Sequence, residues 1–320
     1  MLRSGVFQMT IATASKRLGC DFSINRQSGV ALLQILLLSA IISILAIRFT
    51  HTARDNIKIA EDLDGRVHAR LAAHSAINEV IFYQLSGEIQ AQQNSSARLS
   101  SGWRVGATSI NLFGEPVIWQ SNVWVTIQDL NGLLPQRYPH HPAWSKVLTS
   151  FGITDVEMKR YLGIWKDIQD PDLRSWIIGD TEPLALSSGQ PYLNGFAQNN
   201  QVLKWLFSDK PSLESELLGY SAVHSPYDFN PLNAPRPLLI DLLGYELASA
   251  ISAARNTSKP NIALRQLLPA EYMVEPFRFY NSGYQKIDVT VNLDGSRWQE
   301  RRTILLSPSS KVPVKVLVND

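Results

Sequence analysis

The chain has 320 residues, of which 30 are basic and 28 acidic, and 45% of it is hydrophobic. That hydrophobic share supports a packed core and excludes a disordered chain. The balanced charge, without a basic run, excludes a phosphate-reading nucleic-acid surface, and the lone Cys20 excludes an internal disulfide framework.

Residues 1–29 are polar and carry Arg3, Lys16, Arg17 and Arg26 against one acid, Asp21. From Val30 to Ile47 run 18 residues without a charge, whose only polar members are Gln34, Ser39 and Ser43. At about 1.5 Å per residue such a helix spans roughly 27 Å, near the hydrocarbon thickness of a bilayer. Positive flanks stay cytoplasmic, so everything after Thr50 is expected outside. A secretory signal would have a core of about 7–15 residues and an Ala-x-Ala-like cleavage site; this core is longer, and IRFTHTARD (47–55) offers a poor site of that kind. An uncleaved signal anchor fits the hydropathy equally well. Without residues 1–29 the chain carries 26 basic and 27 acidic residues and no cysteine, so its exported part must be held by its core.

Residues 55–86 read as a helix continuing from the apolar segment. Leu63, Val67, Leu71, His74, Ile77, Ile81 and Leu85 fall at helical spacing and are expected to form its packed stripe. Polar AQQNSSARLSSG (91–102) reads as a loop. Val117–Trp119 and Val123–Ile127 read as strands around a Ser121-Asn122 turn, and Asp129 with Asn131-Gly132 closes the second strand. Residues 136–274 change in texture. Helices are expected at Ala143–Phe151, Asp155–Lys166, Gln201–Phe207 and Leu238–Ala254, with Thr154 and Glu157 at capping-box spacing. Frequent prolines between them predict rigid, irregular connections. Strands return at Phe277–Tyr280, Gln285–Leu293 and Arg301–Leu306, with an Asp294-Gly295 hairpin signal and a last strand alternating Val312, Val314, Val316 and Val318.

No nucleophile elbow, zinc-helix motif, P-loop or dinucleotide turn occurs. His140-His141, between two prolines, reads as a surface turn. Asp167, Asp170 and Asp172, around Pro171, are the best candidates for a hard cation such as Ca²⁺, which prefers loop oxygens; solvated acids at a helix end are the alternative. The eight tryptophans are spread evenly, which favours core or interface use over a sugar platform.

The junction NRQSG-VALLQ, a basic leader ending in Gly29 directly before the apolar helix, resembles the type IV prepilin signal. The resemblance implies cleavage by a prepilin peptidase between Gly29 and Val30. Most pilin-like proteins carry Glu at the fifth mature position, the filament contact; here it is Gln34. That departure, with VALLQILLL, is similar to the K-type minor pseudopilin of type II secretion. VTIQDLNGLLP (125–135) resembles that family's strand-plus-D-x-x-G junction, where an inserted helical domain begins. IWKDIQDPD (164–172) is similar to its D-W-I-D-x-D stretch. DFNPLNAPRPLLIDLLGYELASAISAAR (228–255) resembles its N-x-N-T-A segment and Arg-ended helix, matching at Asn230, Asn233 and Ala234.

The resemblance implies an α+β, pilin-like fold: a long N-terminal helix packed on an antiparallel sheet, with a large inserted, mostly α-helical domain. It divides the chain into a leader (1–29), a transmembrane helix (30–50), a first pilin-like part (51–135), the insert (136–274) and the rest of the sheet (275–320). It implies a non-enzymatic subunit of the inner membrane with its C-terminal domain in the periplasm, capping or initiating the pseudopilus tip. The implied partners are the I-type and J-type minor pseudopilins, the major pseudopilin and the prepilin peptidase, with Ca²⁺ in the insert. A minor pilin of a type IV pilus and a membrane-anchored periplasmic enzyme are the competing readings.

Overall fold

A computed structural model describes residues 28–86, 96–98, 109–172, 174–176, 195–257, 259–272, 276–293 and 295–319. The chain divides into two compact units, residues 1–60 and 61–320. Helix α1 is Ser28–Ser86. Its residues up to 60 are almost all exposed, including Leu32, Leu36, Ile42 and Leu45.

The second unit contains an antiparallel sheet of five strands in the order β3-β4-β7-β8-β9: Val117–Gln120, Val123–Asp129, Tyr284–Leu293, Ser296–Leu306 and Val314–Asn319. The register sets Val123 opposite Val291, Val125 opposite Val289 and Ile127 opposite Ile287. These six β-branched residues therefore share one face, and strict alternation puts Thr126, Lys286, Asp288 and Thr290 on the other. Asn122 makes the β3–β4 turn with φ 65°, and Leu293 pairs with Ser296 across the expected β7–β8 hairpin.

The apolar face is covered by the C-terminal part of α1. Here the structure keeps Ile77 of the expected stripe and corrects its first half. The helix buries Gly65, Ala69, Ala73, Ala76, Ile77 and Val80, whereas Leu63 is 62% exposed, Val67 49% and Leu71 58%. Small side chains let the helix axis approach the sheet closely, and the larger residues turn away. Polar ties fix the seating: Trp119 Nε1 donates to Glu79 Oε2 at 2.9 Å, and Arg302 Nη1 donates to Asn78 Oδ1 at 3.3 Å.

The described residues between 134 and 277 gather around a second apolar cluster centred on Trp144, Trp165, Phe207 and Phe229. Its helices are α2 (Pro142–Ser150), α3 (Asp155–Gln169), α4 (Gln201–Leu206), α5 (Pro211–Tyr220), α6 (Arg236–Leu243), α7 (Tyr245–Ala254) and α8 (Pro260–Leu267). The single helix expected over 238–254 is two, because Gly244 sits at φ 84° and breaks the hydrogen-bond ladder where side chains are disfavoured. Helices α5 and α8, both opened by proline, were not expected. The polar segment 91–102 is not wholly a loop: β1 (Ser96–Arg98) pairs antiparallel with β2 (Ser109–Asn111), and the rest of it lies outside the described residues. Phe277–Tyr280 is extended but joins the fold by one parallel bridge, Phe277 to Phe229, instead of a sheet strand. Short β5 (Leu134–Pro135) and β6 (Ser221–Ala222) pair in parallel.

Candidate functional site

Helix α1 presents the residues of the proposed processing site. Gly29 and Val30 lie in its first turn and Gln34 one turn later, with Val30 and Gln34 exposed. Among the described residues, α1 is the one helix long and apolar enough to cross a membrane by length and composition. In the second unit Leu63, Val67 and Leu71 recur every four residues and form an apolar ridge on the side away from the sheet. A monomer gains nothing by exposing such a ridge; an interface uses it.

A buried polar joint connects β4, the 130–132 turn, the 231–233 turn and the start of β7. Asp129, fully buried, accepts from Asn131 N at 3.1 Å and from Ser282 N at 2.9 Å, and also from Ser282 Oγ. Burial pushes its carboxyl up from 3.8 to about 6, against the hydrogen bonds from Ser282 and Asn131, which favour the charged form. Asn131 O accepts from Asn230 N at 2.7 Å; its Oδ1 accepts from Asn233 Nδ2 at 3.0 Å, and its Nδ2 donates to Tyr280 O at 2.7 Å. Gln128 Nε2 donates to Asn233 O at 2.7 Å. Gly132 is required for room: a Cβ there would stand 2.0 Å from Asn233 O. Arg255, 3% exposed, follows α7 and closes the joint. Its Nη2 donates to Pro231 O at 3.1 Å and to Ala234 O, and its guanidinium lies 4.3 Å from the centre of the Phe113 ring. Burial lowers this guanidinium to about 10, partly offset by Glu115.

The sequence segments 125–135 and 228–255, singled out separately, thus meet in one place. Arg255 was already marked as the end of the second segment, whereas the partners Ser282 and Tyr280 could not be found from spacing, because their contacts cross as many as 153 positions. The groups facing Asp129, Asn131 and Asn230 are amides and hydroxyls of the protein itself, the chemistry of a rigid connection.

The three aspartates lie at the end of α3. Asp167, buried, accepts from Ser175 Oγ at 2.9 Å and from Trp176 N at 2.8 Å. Asp170 Oδ2 accepts from Trp176 Nε1 at 2.8 Å, and exposed Asp172 accepts from Arg174 N at 2.8 Å. Among the described residues no group of three or more His, Cys, Asp or Glu side chains converges as for a metal ion. His140 is exposed as expected, but His141 is buried: it caps α2 by accepting from Ala143 N at 3.2 Å through Nδ1. Burial, with the neighbouring His140, lowers it from 6.5 to about 3.

No protein-family profile and no curated protein sequence matches the chain. Among solved structures it is similar to a chain of the crystal structure of the GspK-GspI-GspJ complex from the type 2 secretion system of enterotoxigenic Escherichia coli. The identity is 10% and the TM-score 0.51, over 84% of this chain and 98% of that one. At that identity the likeness is one of fold: a long N-terminal helix, an antiparallel sheet and further helices, shared with a chain of that complex.

Proposed function

We propose that this chain is a K-type minor pseudopilin of type II secretion, acting at the tip of a periplasmic pseudopilus. The observation that carries this reading is the α1 surface. Its first part is apolar all round, and the second unit leaves the Leu63–Val67–Leu71 ridge uncovered. Prepilin peptidase cleaves after Gly29, Val30 becomes the N-terminus, and the helix anchors the subunit in the inner membrane. The ridge then packs against the equivalent helices of I-type and J-type minor pseudopilins, with the major pseudopilin below. Uncharged Gln34 suits a subunit that has no neighbour beyond it to pair a carboxylate with.

Mass spectrometry of the protein from its own cells should give an N-terminus at Val30, and Gly29→Glu should leave residues 1–29 attached. An intact leader on working protein would end the proposal. Leu63→Asp with Leu71→Asp should weaken co-purification with the other minor pseudopilins by at least about a hundredfold, since each buried leucine contributes about 1.5–3 kcal/mol.

The helical insert favours this reading over a type IV minor pilin, and a pilus gene cluster around this gene would favour the pilin instead. The role is structural; hydrolysis by the purified protein that a single polar substitution abolished would favour an enzyme. A Ca²⁺ site at Asp167, Asp170 and Asp172 belongs to the same reading and requires the three carboxylates, which do not converge among the described residues, to close around the ion. It is supported by Asp170 Oδ1, which is buried without a hydrogen-bond partner. Calorimetric titration with Ca²⁺ should release heat that Asp170→Asn removes; no heat and no thermal shift would remove the site.

A further inference from the structure

Beside the Leu63–Val67–Leu71 ridge, α1 carries a second row of long side chains, Arg66 and Arg70. Three residues separate Leu63 from Arg66 and Val67 from Arg70, so the two rows are neighbours on the helix surface. Gly65, Ala69 and Ala73 face the sheet, which leaves the arginine row on the border between the buried face and the ridge. There it meets the start of β8. A cleft of about 390 Å³ is lined by Asp62 and Arg66 of α1, by Gly295, and by Ser296 to Trp298. The Arg70 guanidinium lies 5.7 Å from the centre of the Trp298 ring. Charge is unbalanced here. Arg66, Arg70 and Arg297 are exposed, and among the described residues none of them forms a salt bridge. Asp62 is the single carboxylate in the cleft wall. Like charges four residues apart on a helix oppose folding, and Arg297 adds a third across the cleft, so the isolated chain gains nothing from the grouping. The opposite flank of the ridge differs: Asp64 there lies 3.6 Å from His68.

We propose that this cleft takes carboxylates of the partner helix that covers the ridge. The pairing rests on the reading of the ridge as an interface between pseudopilins, and it adds which side of the partner meets which side of this chain. A helix laid along Leu63, Val67 and Leu71 carries the residues beside its own apolar stripe over the arginine row on one side and over Asp64 on the other. Acidic residues are matched on the arginine side and repelled on the Asp64 side. Charge therefore selects both the partner and its rotation about the helix axis. Guanidiniums suit this task, since each offers a planar fork of donors to a carboxylate. Docking of the apolar stripes also removes water beside these pairs, which strengthens them relative to fully exposed ones.

The test uses the full-length chain in membranes of its own cells, with two probes. Carbodiimide condenses a lysine amine with a carboxylate that touches it. Chains carrying Arg66→Lys or Arg297→Lys should be coupled to an Asp or Glu on a helix of another membrane-anchored subunit, identified by mass spectrometry of the linked peptides. His68→Lys, on the opposite flank, should give no such product. A photoreactive benzophenone side chain in place of Val67 captures whatever covers the ridge, regardless of charge. Its yield should fall at least about tenfold when Arg66→Glu and Arg297→Glu are added, and far-UV circular dichroism of the purified variant establishes that it is folded. Photocapture from position 67 without a carbodiimide product, or with a yield that the charge reversal leaves unchanged, would overturn the carboxylate pairing and leave the ridge an interface. Coupling confined to this chain's own Asp62 would overturn it too. No photocapture from position 67 would remove the interface and the pairing together.

Discussion

Replacing Gly132 by alanine should break the joint that holds the 231–233 turn against β4. The added Cβ would lie 2.0 Å from Asn233 O, 2.2 Å from its carbonyl carbon and 2.7 Å from Ala234 N. All three are main-chain atoms, so no rotamer change makes room, and the turn must retreat by more than an ångström. Overpacking costs about 1–3 kcal/mol where neighbours can yield. Retreat also separates Asn233 O from Gln128 Nε2 and Asn233 Nδ2 from Asn131 Oδ1, and each buried group left unmet costs about 1–3 kcal/mol. The expected loss is about 4–5 kcal/mol, a large share of a typical domain's stability of about 5–15 kcal/mol. Gly219→Ala in α5 is the control: nothing lies within 4 Å of its Cβ, and a helical alanine gains up to about 1 kcal/mol. Urea unfolding followed by tryptophan fluorescence measures both, at constant slope. A G132A chain within about 1 kcal/mol of the parent would refute the close approach.

Asp129 and His141 set opposite pH dependences. The Asp129 carboxyl is raised from 3.8 to about 6, so its contribution to stability is present below 3.8 and lost as pH rises through 6, a change of about 3 kcal/mol. Unfolding free energies of the parent minus those of Asp129→Asn should therefore fall by about 2 kcal/mol between pH 4 and 7; a flat difference would contradict the buried carboxyl. His141 is lowered from 6.5 to about 3, so its folded neutral form loses stability as pH falls through 6.5, by up to about 5 kcal/mol at pH 3. His141→Asn keeps a side chain able to cap α2 and should remove that acid sensitivity, read from melting temperatures at pH 4 and 7; equal acid losses in both chains would count against it.

Local signals were legible in the residues themselves. The uncharged run 30–47, the Thr154–Glu157 capping box, the Asn122 turn and the alternation in β7 each follow from backbone preferences within a few positions. The structure shows the capping box intact, with Glu157 N donating to Thr154 Oγ1 and Thr154 N to Glu157 Oε2. The aspartate and asparagine motifs at 129–132 and 230–234 were visible as turn formers, but not as each other's partners.

What the sequence determined by itself is therefore a long apolar N-terminal helix, its charge bias and the strongest local elements, α3 and the β7–β8 hairpin among them, because those depend on neighbours along the chain. Tertiary structure alone decided which side of α1 is buried. Two apolar stripes share the helical period, and only the sheet's demand for a close approach assigns Ala69, Ala73 and Ala76 inward and leaves Leu63, Val67 and Leu71 outside. It also decided that Gly132 and Asn233 would touch, since a contact across a hundred residues carries no period for a sequence to reveal.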